Sequence, residues 1–248
     1  MKKINYNTYR FSRKETVLFV TEGLVGIGVI AYIFYHSFPA FICLLPLLYF
    51  FLKKKKEELC NLRKKELSLQ FREMILAVSA SLNSGYSIEN AFCESEKDME
   101  ILYGKNGIIV KELRVLSGRL ASNETLESIL SDFSNRSAIE DINDFTEIFI
   151  TAKRSGGDLN AIIRKASAHI SEKIEVKREI DTLMSAKKME QKIMNAVPFL
   201  IILYISYSSP GFLNVLYGNV TGITVMTVCF AVYGVAFLIA QKIVSIEV

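Results

Sequence analysis

Histidine is nearly missing from this sequence, with only His36 and His169 among 248 residues. No HExxH, GxSxG or Ser-His-Asp ordering occurs, and GxxxxGK[ST] is absent, which argues against zinc-dependent hydrolysis, acyl transfer and P-loop nucleotide binding. The four cysteines, Cys43, Cys60, Cys93 and Cys229, form no CxxC pair, and two lie in apolar runs. Neither a disulfide framework nor a zinc site follows, and the thiols read as buried or indifferent in a reducing compartment. Proline is absent from Lys53 to Asn195, and Lys and Arg are absent around Ser37 and from Ser209 to Gly222. No enzyme chemistry, cofactor or metal is expected.

Charge, by contrast, is plentiful and segregated. Of the 30 Lys and Arg, 24 fall between Lys53 and Lys192, as do 23 of the 26 Asp and Glu. The middle of the chain is therefore almost neutral, and this argues against nucleic acid, which calls for a strongly basic face.

Four apolar stretches flank that middle: Val17–Tyr35, Phe38–Leu52, Ala196–Ser208 and Ile223–Ala240. The first and last approach the roughly 20 residues that cross a hydrocarbon core, and the shorter two can lengthen through flanking residues. A backbone in lipid must satisfy its own hydrogen bonds, so all four are expected as helices. A cleaved signal peptide is an unsuitable reading of the first, because a second apolar run follows within three residues. Glu22, five residues into the first stretch, is read as interfacial or partner-paired. Cations precede the first stretch (Lys2, Lys3, Arg10, Arg13, Lys14), follow the second (Lys53 to Lys56), precede the third (Lys187, Lys188, Lys192) and follow the fourth (Lys242). By the positive-inside rule both termini and the central region face the cytoplasm. The expectation is an all-α, polytopic inner-membrane protein: a transmembrane hairpin over residues 1–52, a cytoplasmic antiparallel helical bundle over 53–195, and a second hairpin over 196–248.

Within the bundle, isolated turn signals separate apolar residues at helical spacing. The signals are Gly85, Gly104 to Gly107, Ser122-Asn123, Ser134 to Ser137, and Gly156-Gly157. Phe71, Ile75, Val78 and Leu82 form one stripe, and Ile139, Ile142, Phe145, Phe149 and Ala152 another. Leu159, Ile163, Ala166, Ile170 and Ile174 form a third, on a helix expected to run unbroken from Leu159 into the third apolar stretch. Such continuity would transmit a push on the bundle to the membrane helices. Ser137 with Glu140 reads as a capping box, and Asp158 as an N-cap after a glycine stop. Glu140, Asp144 and Glu147 share a helix face. They could meet a divalent cation or a basic partner, although acids near a helix N-terminus also serve as a solvated face. Arg154 on the same helix is a further candidate partner contact. The Lys53 to Lys56 run reads as a headgroup anchor.

Two segments carry a resemblance. The run FREMILAVSASLNSGYSIENAF, residues 71–92, resembles the opening of the type II secretion F domain, with Gly85 between its helices. IFITAKRSGGDLNAIIRKASAHI, residues 148–170, is similar to that family's helix–GG–x-L–helix signature, here Gly156, Gly157 and Leu159. The order of two spans, one domain and two spans, with the tail QKIVSIEV, looks like the TadB-like branch of tight-adherence pili, and SSPGFLNVLYGNVTG stands where that branch has an external loop. The resemblance covers roughly residues 50–248. It implies a platform protein of a type IV-like pilus or type II secretion machine, with a cytoplasmic secretion ATPase, a sister platform protein, pilin subunits and membrane lipid as partners, in a homo- or hetero-oligomer. The residues themselves leave open a membrane-anchored adaptor or sensor.

Overall fold

A computed structural model of the chain describes residues 5–35, 37–156, 158–209, 211, 217 and 219–244. Among these the secondary structure is helical: α1 (Arg13–Tyr35), α2 (Phe38–Leu44), α3 (Pro46–Asn83), α4 (Ile88–Tyr103), α5 (Ile108–Ala121), α6 (Leu126–Ser137), α7 (Glu140–Ser155), α8 (Leu159–Ser208) and α9 (Val220–Val244). The described residues of Met1–Arg10 and Lys56–Val176 form one compact unit, and those of Phe11–Lys55 and Lys177–Val248 a second. Helices α3 and α8 each supply residues to both.

The first unit is a bundle whose core gathers the expected stripes. Phe71, Ile75 and Val78 of α3 are fully buried, as are Ile142, Phe145 and Phe149 of α7, and Ile163 of α8 joins them. Phe71 and Phe145 meet edge to face at 5.5 Å, a favoured arrangement of aromatic quadrupoles. Each such side chain contributes about 1.5–3 kcal/mol through burial, so the spacing of apolar residues is enough to fix which face of each helix turns inward. Caps set the boundaries. The Ser87 hydroxyl accepts from Asn90 N at 3.4 Å, and Thr125 accepts from Ser128 N at 3.4 Å. Asp158 Oδ1 accepts from Asn160 N and Ala161 N at 3.0 and 3.1 Å, the N-cap expected for α8.

The expected capping box at Ser137 does not form. Ser137 is the last residue of α6, fully buried, and its hydroxyl donates to Ser134 O at 3.0 Å. The N-cap of α7 is Ile139, with no side-chain cap. Ser134 to Ser137 is likewise helical and not a turn, and Ser134 Oγ donates to Asn143 Oδ1 at 3.0 Å. The reversal falls one residue later, where Ala138 adopts φ 45°.

In the second unit, α1 and residues Thr221–Ile243 are the helices long and apolar enough to cross a membrane among the described residues. Phe38–Leu52 is not one helix. Pro46 lacks the N–H that would continue the ladder to Ile42, Leu45 N bonds Ile42 O instead at 3.2 Å, and α3 starts afresh at Pro46. Ala196–Ser208 is the last part of α8, which runs through Pro198 without a break. Ile33, Phe34 and Met226 make a small core with Phe199, Ile202 and Phe230 around them. The Tyr233 hydroxyl donates to Asn195 O at 2.9 Å and the Tyr217 hydroxyl to Ile33 O at 2.8 Å. Gly23 is buried against α3, where a Cβ would overlap the Leu48 side chain. Glu22 is exposed and has no ion-pair partner among the described residues.

Candidate functional site

Helix α7 carries most of the candidate residues. Its inner side is held by Ile142, Phe145 and Phe149, which turns Glu140, Asp144, Glu147 and Arg154 outward, all exposed. The three acids do not act alike. Glu140 reaches across to α8, where Lys173 Nζ lies 3.2 Å away, and the neighbouring Asp141 is closer to the same ammonium at 2.9 Å. Asp141 also accepts from Ser68 Oγ of α3 at 3.0 Å. The bond to Asp141, reinforced by Glu140, raises the Lys173 pKa despite partial burial. Glu147 accepts from Asn143 Nδ2 at 3.0 Å, while Asp144 has no hydrogen-bond or ion-pair partner among the described residues. No three His, Cys, Asp or Glu side chains among the described residues form a group that could hold a metal ion. The exposed face carries acids at one end and Arg154 at the other.

The glycine signature has a backbone cause. Gly156 ends α7 at φ 69° and ψ 22°, and its N–H donates to Ala152 O. Gly85 follows α3 at φ 91°, its N–H donating to Leu82 O at 3.0 Å. Both occupy the left-handed region that glycine enters without Cβ strain. Leu159 opens α8 half-buried against the core. Gly157 lies outside the described residues, as does His36. Behind the α7 face, Lys153 Nζ bonds Glu89 of α4 and Glu127 of α6, each at 3.2 Å. Burial opposes the charge on Lys153, but the two carboxylates outweigh it and raise its pKa. Burial likewise pushes Glu127 up, and its own backbone bond with the Lys153 contact brings the net value below the usual carboxylate range.

One polar constellation had no counterpart in the sequence reading. Tyr6, from the segment before α1, is completely buried in the bundle and donates from its hydroxyl to Glu112 Oε1 of α5 at 2.8 Å. Arg136 of α6 grips the same carboxylate through two bonds, at 2.9 and 2.7 Å, and its Nε reaches Asp132 at 3.0 Å. Arg119 extends the chain to Asp132 at 2.9 Å and to Glu124. The backbone of the segment is pinned by Tyr6 N to Arg136 O at 3.1 Å and by Cys60 Sγ to Tyr6 O at 3.2 Å, while the Arg63 guanidinium lies over the Tyr6 ring at 4.7 Å. A signal existed. Glu112 falls at i, i+3, i+4, i+7 spacing with Ile109, Leu113 and Leu116, so a carboxylate stood at a core position. Burial and the adjoining Glu112 charge hold the Tyr6 phenol far above its ordinary pKa. The bonds to Glu112 raise the Arg136 pKa against the opposing effect of burial. The cavity beside this network, lined by Glu112, Arg119, Phe133 and Arg136, measures about 20 Å³, room for a single water. No buried side-chain nitrogen or oxygen among the described residues is left without a partner. The network fastens helices to one another and offers no substrate pocket.

Residues 74–206 match the family model of the type II secretion system protein F, from Met74 of α3 to Ser206 of α8. The match takes in more than half of the 248 residues. The chain belongs to the type II secretion system protein F family. Neither a curated protein nor a solved structure gives a significant match. The protein F region holds both glycine stops, the α7 face and the Arg136–Glu112 pair, while Tyr6 enters from outside it.

Proposed function

We propose that this protein is an inner-membrane platform of a type IV-like pilus or type II secretion machine, of the TadB-like tight-adherence branch, on which a cytoplasmic secretion ATPase works to move pilin subunits out of the membrane. In this reading the chain spans the bilayer four times, with residues 1–52 and 196–248 as hairpins and residues 53–195 as the cytoplasmic bundle, both termini inside. The observation that carries the reading is the order of parts: a protein F region at residues 74–206 lies between two helices, Arg13–Tyr35 and Thr221–Ile243, long and apolar enough to cross a membrane. The shorter stretches at Phe38–Leu52 and Ala196–Ser208 complete the hairpins. The bend at Leu45 leaves the first of them to cross with the help of the lysines after Leu52, whose stems reach along a helix toward headgroups. The basic residues at one end of each apolar stretch, and their absence from the loops at the other ends, support this orientation.

The chain hydrolyses nothing by this reading. It is a scaffold and coupler, working with a sister platform protein, and α8 gives it one uninterrupted helix from the bundle's residues to those of the C-terminal hairpin. The α7 face, with Glu140, Asp144, Glu147 and Arg154, is the surface offered to the ATPase. Co-purification in mild detergent tests this. The ATPase should come down with the wild-type protein and be lost on charge reversal at Glu140 and Asp144. Absence of ATPase under every nucleotide condition would overturn the motor coupling.

A further inference from the structure

Charge is almost excluded from the four apolar stretches. Across Val17–Tyr35, Phe38–Leu52, Ala196–Ser208 and Ile223–Ala240 the only Asp or Glu is Glu22, and Lys and Arg are absent from all four. Glu22 lies on the exposed side of α1. At about 100° per residue it falls in one row with Leu18, Val25 and Val29, which are 59%, 66% and 49% exposed, while Gly23, Ile27, Ala31 and Phe34 are buried on the opposite side. The chain's own cations do not serve it. Arg13 and Lys14 stand at least eight residues back, about 12 Å along the helix axis. Lys54 is turned to Gln241, and Lys55 Nζ stands over the Phe19 ring at 5.7 Å. Glu22 has neither a hydrogen bond nor an ion pair among the described residues.

We propose that Glu22 anchors a membrane helix of a different protein, one that carries a lysine or arginine within its own apolar stretch and lies along Leu18, Val25 and Val29. The inference rests on the membrane crossing proposed above for Arg13–Tyr35. In that crossing Glu22 sits about 7 Å inside the apolar stretch, where a carboxylate is costly unless a cation or a wet cavity answers it. The charge pattern names the partner's chemistry. A second copy has no Lys or Arg inside any apolar stretch to offer. Copies of one chain also cross in the same direction, so a symmetric contact through this face sets Glu22 against Glu22, a like-charge pair. The cation must therefore come from another protein. Helix association in lipid has no hydrophobic drive of its own and relies on packing and polar contacts. Here Leu18, Val25 and Val29 supply the packing, and the ion pair fixes the partner's depth and rotation.

The test uses the full-length chain in native membranes, with the photoreactive residue benzoylphenylalanine at Val25 or Val29 and, as exposed controls on α9, at Val228 or Val232. Irradiation should join the Val25 and Val29 variants, and not the controls, to one protein whose cross-linked peptide, read by mass spectrometry, is an apolar helix holding a Lys or Arg. Glu22→Gln should lower that yield several-fold. Glu22→Lys should abolish the adduct, and exchanging the partner's basic residue for Glu should restore it. Adducts with lipid alone, with a second copy or with a peptide lacking a basic residue overturn the proposal. So does a yield indifferent to Glu22→Gln, or a Glu22→Lys adduct that the exchange does not restore. Should the cross-link fail, Val25→Cys in a chain otherwise free of cysteine tells which claim fell. Protection from a membrane-impermeant maleimide on both sides refutes the pairing alone, and labelling refutes the crossing of α1 as well.

Discussion

Replacing Arg136 by methionine isolates the Glu112 carboxylate in the bundle. Glu112 is only 7% exposed, and Arg136 supplies two of the three hydrogen bonds recorded to it, the third coming from Tyr6. Removing one partner of a buried ion pair costs about 3–5 kcal/mol, because the survivor keeps its charge and loses its compensation. Against a domain stability of about 5–15 kcal/mol, that is a large fraction. The double variant Glu112→Gln, Arg136→Met removes the stranded charge and leaves an amide oxygen to accept from Tyr6, so the loss should shrink to about 0.5–1.5 kcal/mol, the net worth of an ordinary hydrogen bond. The fitting assay is amide hydrogen exchange over residues 108–137 in the detergent-solubilised full chain, which reports opening of α5 and α6 without requiring the membrane helices to unfold. Arg136→Met should accelerate exchange there by about a hundredfold or more, at about 1.4 kcal/mol per factor of ten, and the double variant should recover most of it. If the single variant shifts exchange less than tenfold, or the double is no better protected, the network is not the fastener described here.

Three further outcomes follow from the structure. Because the docked Tyr6 phenol has a raised pKa, its docking is fully favourable below the ordinary tyrosine value of about 10 and weakens as pH rises above it; protease cleavage between residues 5 and 10 should therefore increase above about pH 10 in the wild type, whereas Tyr6→Phe should lose that alkaline dependence. At the helix ends, Gly156→Ala forces a Cβ into φ 69° with open space around it and should lower stability by about 1 kcal/mol. Ala138→Gly relieves a left-handed alanine at φ 45° and should raise stability by up to about 1 kcal/mol, both changes being read by thermal melts of the detergent-solubilised chain.

The bundle was legible because its helices bury one stripe each. The stripe of Phe71, Ile75, Val78 and Leu82 and the stripe around Phe145 sit inward as their spacing required, and glycines mark three of the reversals, at Gly85, Gly104 and Gly156. What periodicity could not disclose was placement of polar residues by long-range partners. Tyr6 is 106 residues from Glu112, and nothing local says that a tyrosine before the first apolar stretch fills a bundle core. Ser134 and Ser137 look like turn residues, yet the Ser134 hydroxyl bonds Asn143, the Ser137 hydroxyl bonds Ser134 O, and the helix continues to Ser137. Pro46 was visible in the second apolar stretch, but hydropathy alone does not register the missing N–H that divides it. At the α7 face, sequence spacing put Glu140, Asp144 and Glu147 on one side correctly, while Lys173, which takes up Glu140, comes from another helix and could not be foreseen.

In the proposed platform the bundle faces the cell interior and the apolar helices pair in the membrane. Single cysteines at Lys105 in the α4–α5 turn and at Thr221, at the start of the last apolar helix, in a chain otherwise free of cysteine, can be labelled with a membrane-impermeant maleimide in spheroplasts and in inverted vesicles. Lys105→Cys should label only in inverted vesicles and Thr221→Cys only in spheroplasts. Labelling of Lys105→Cys from the outside would contradict the account.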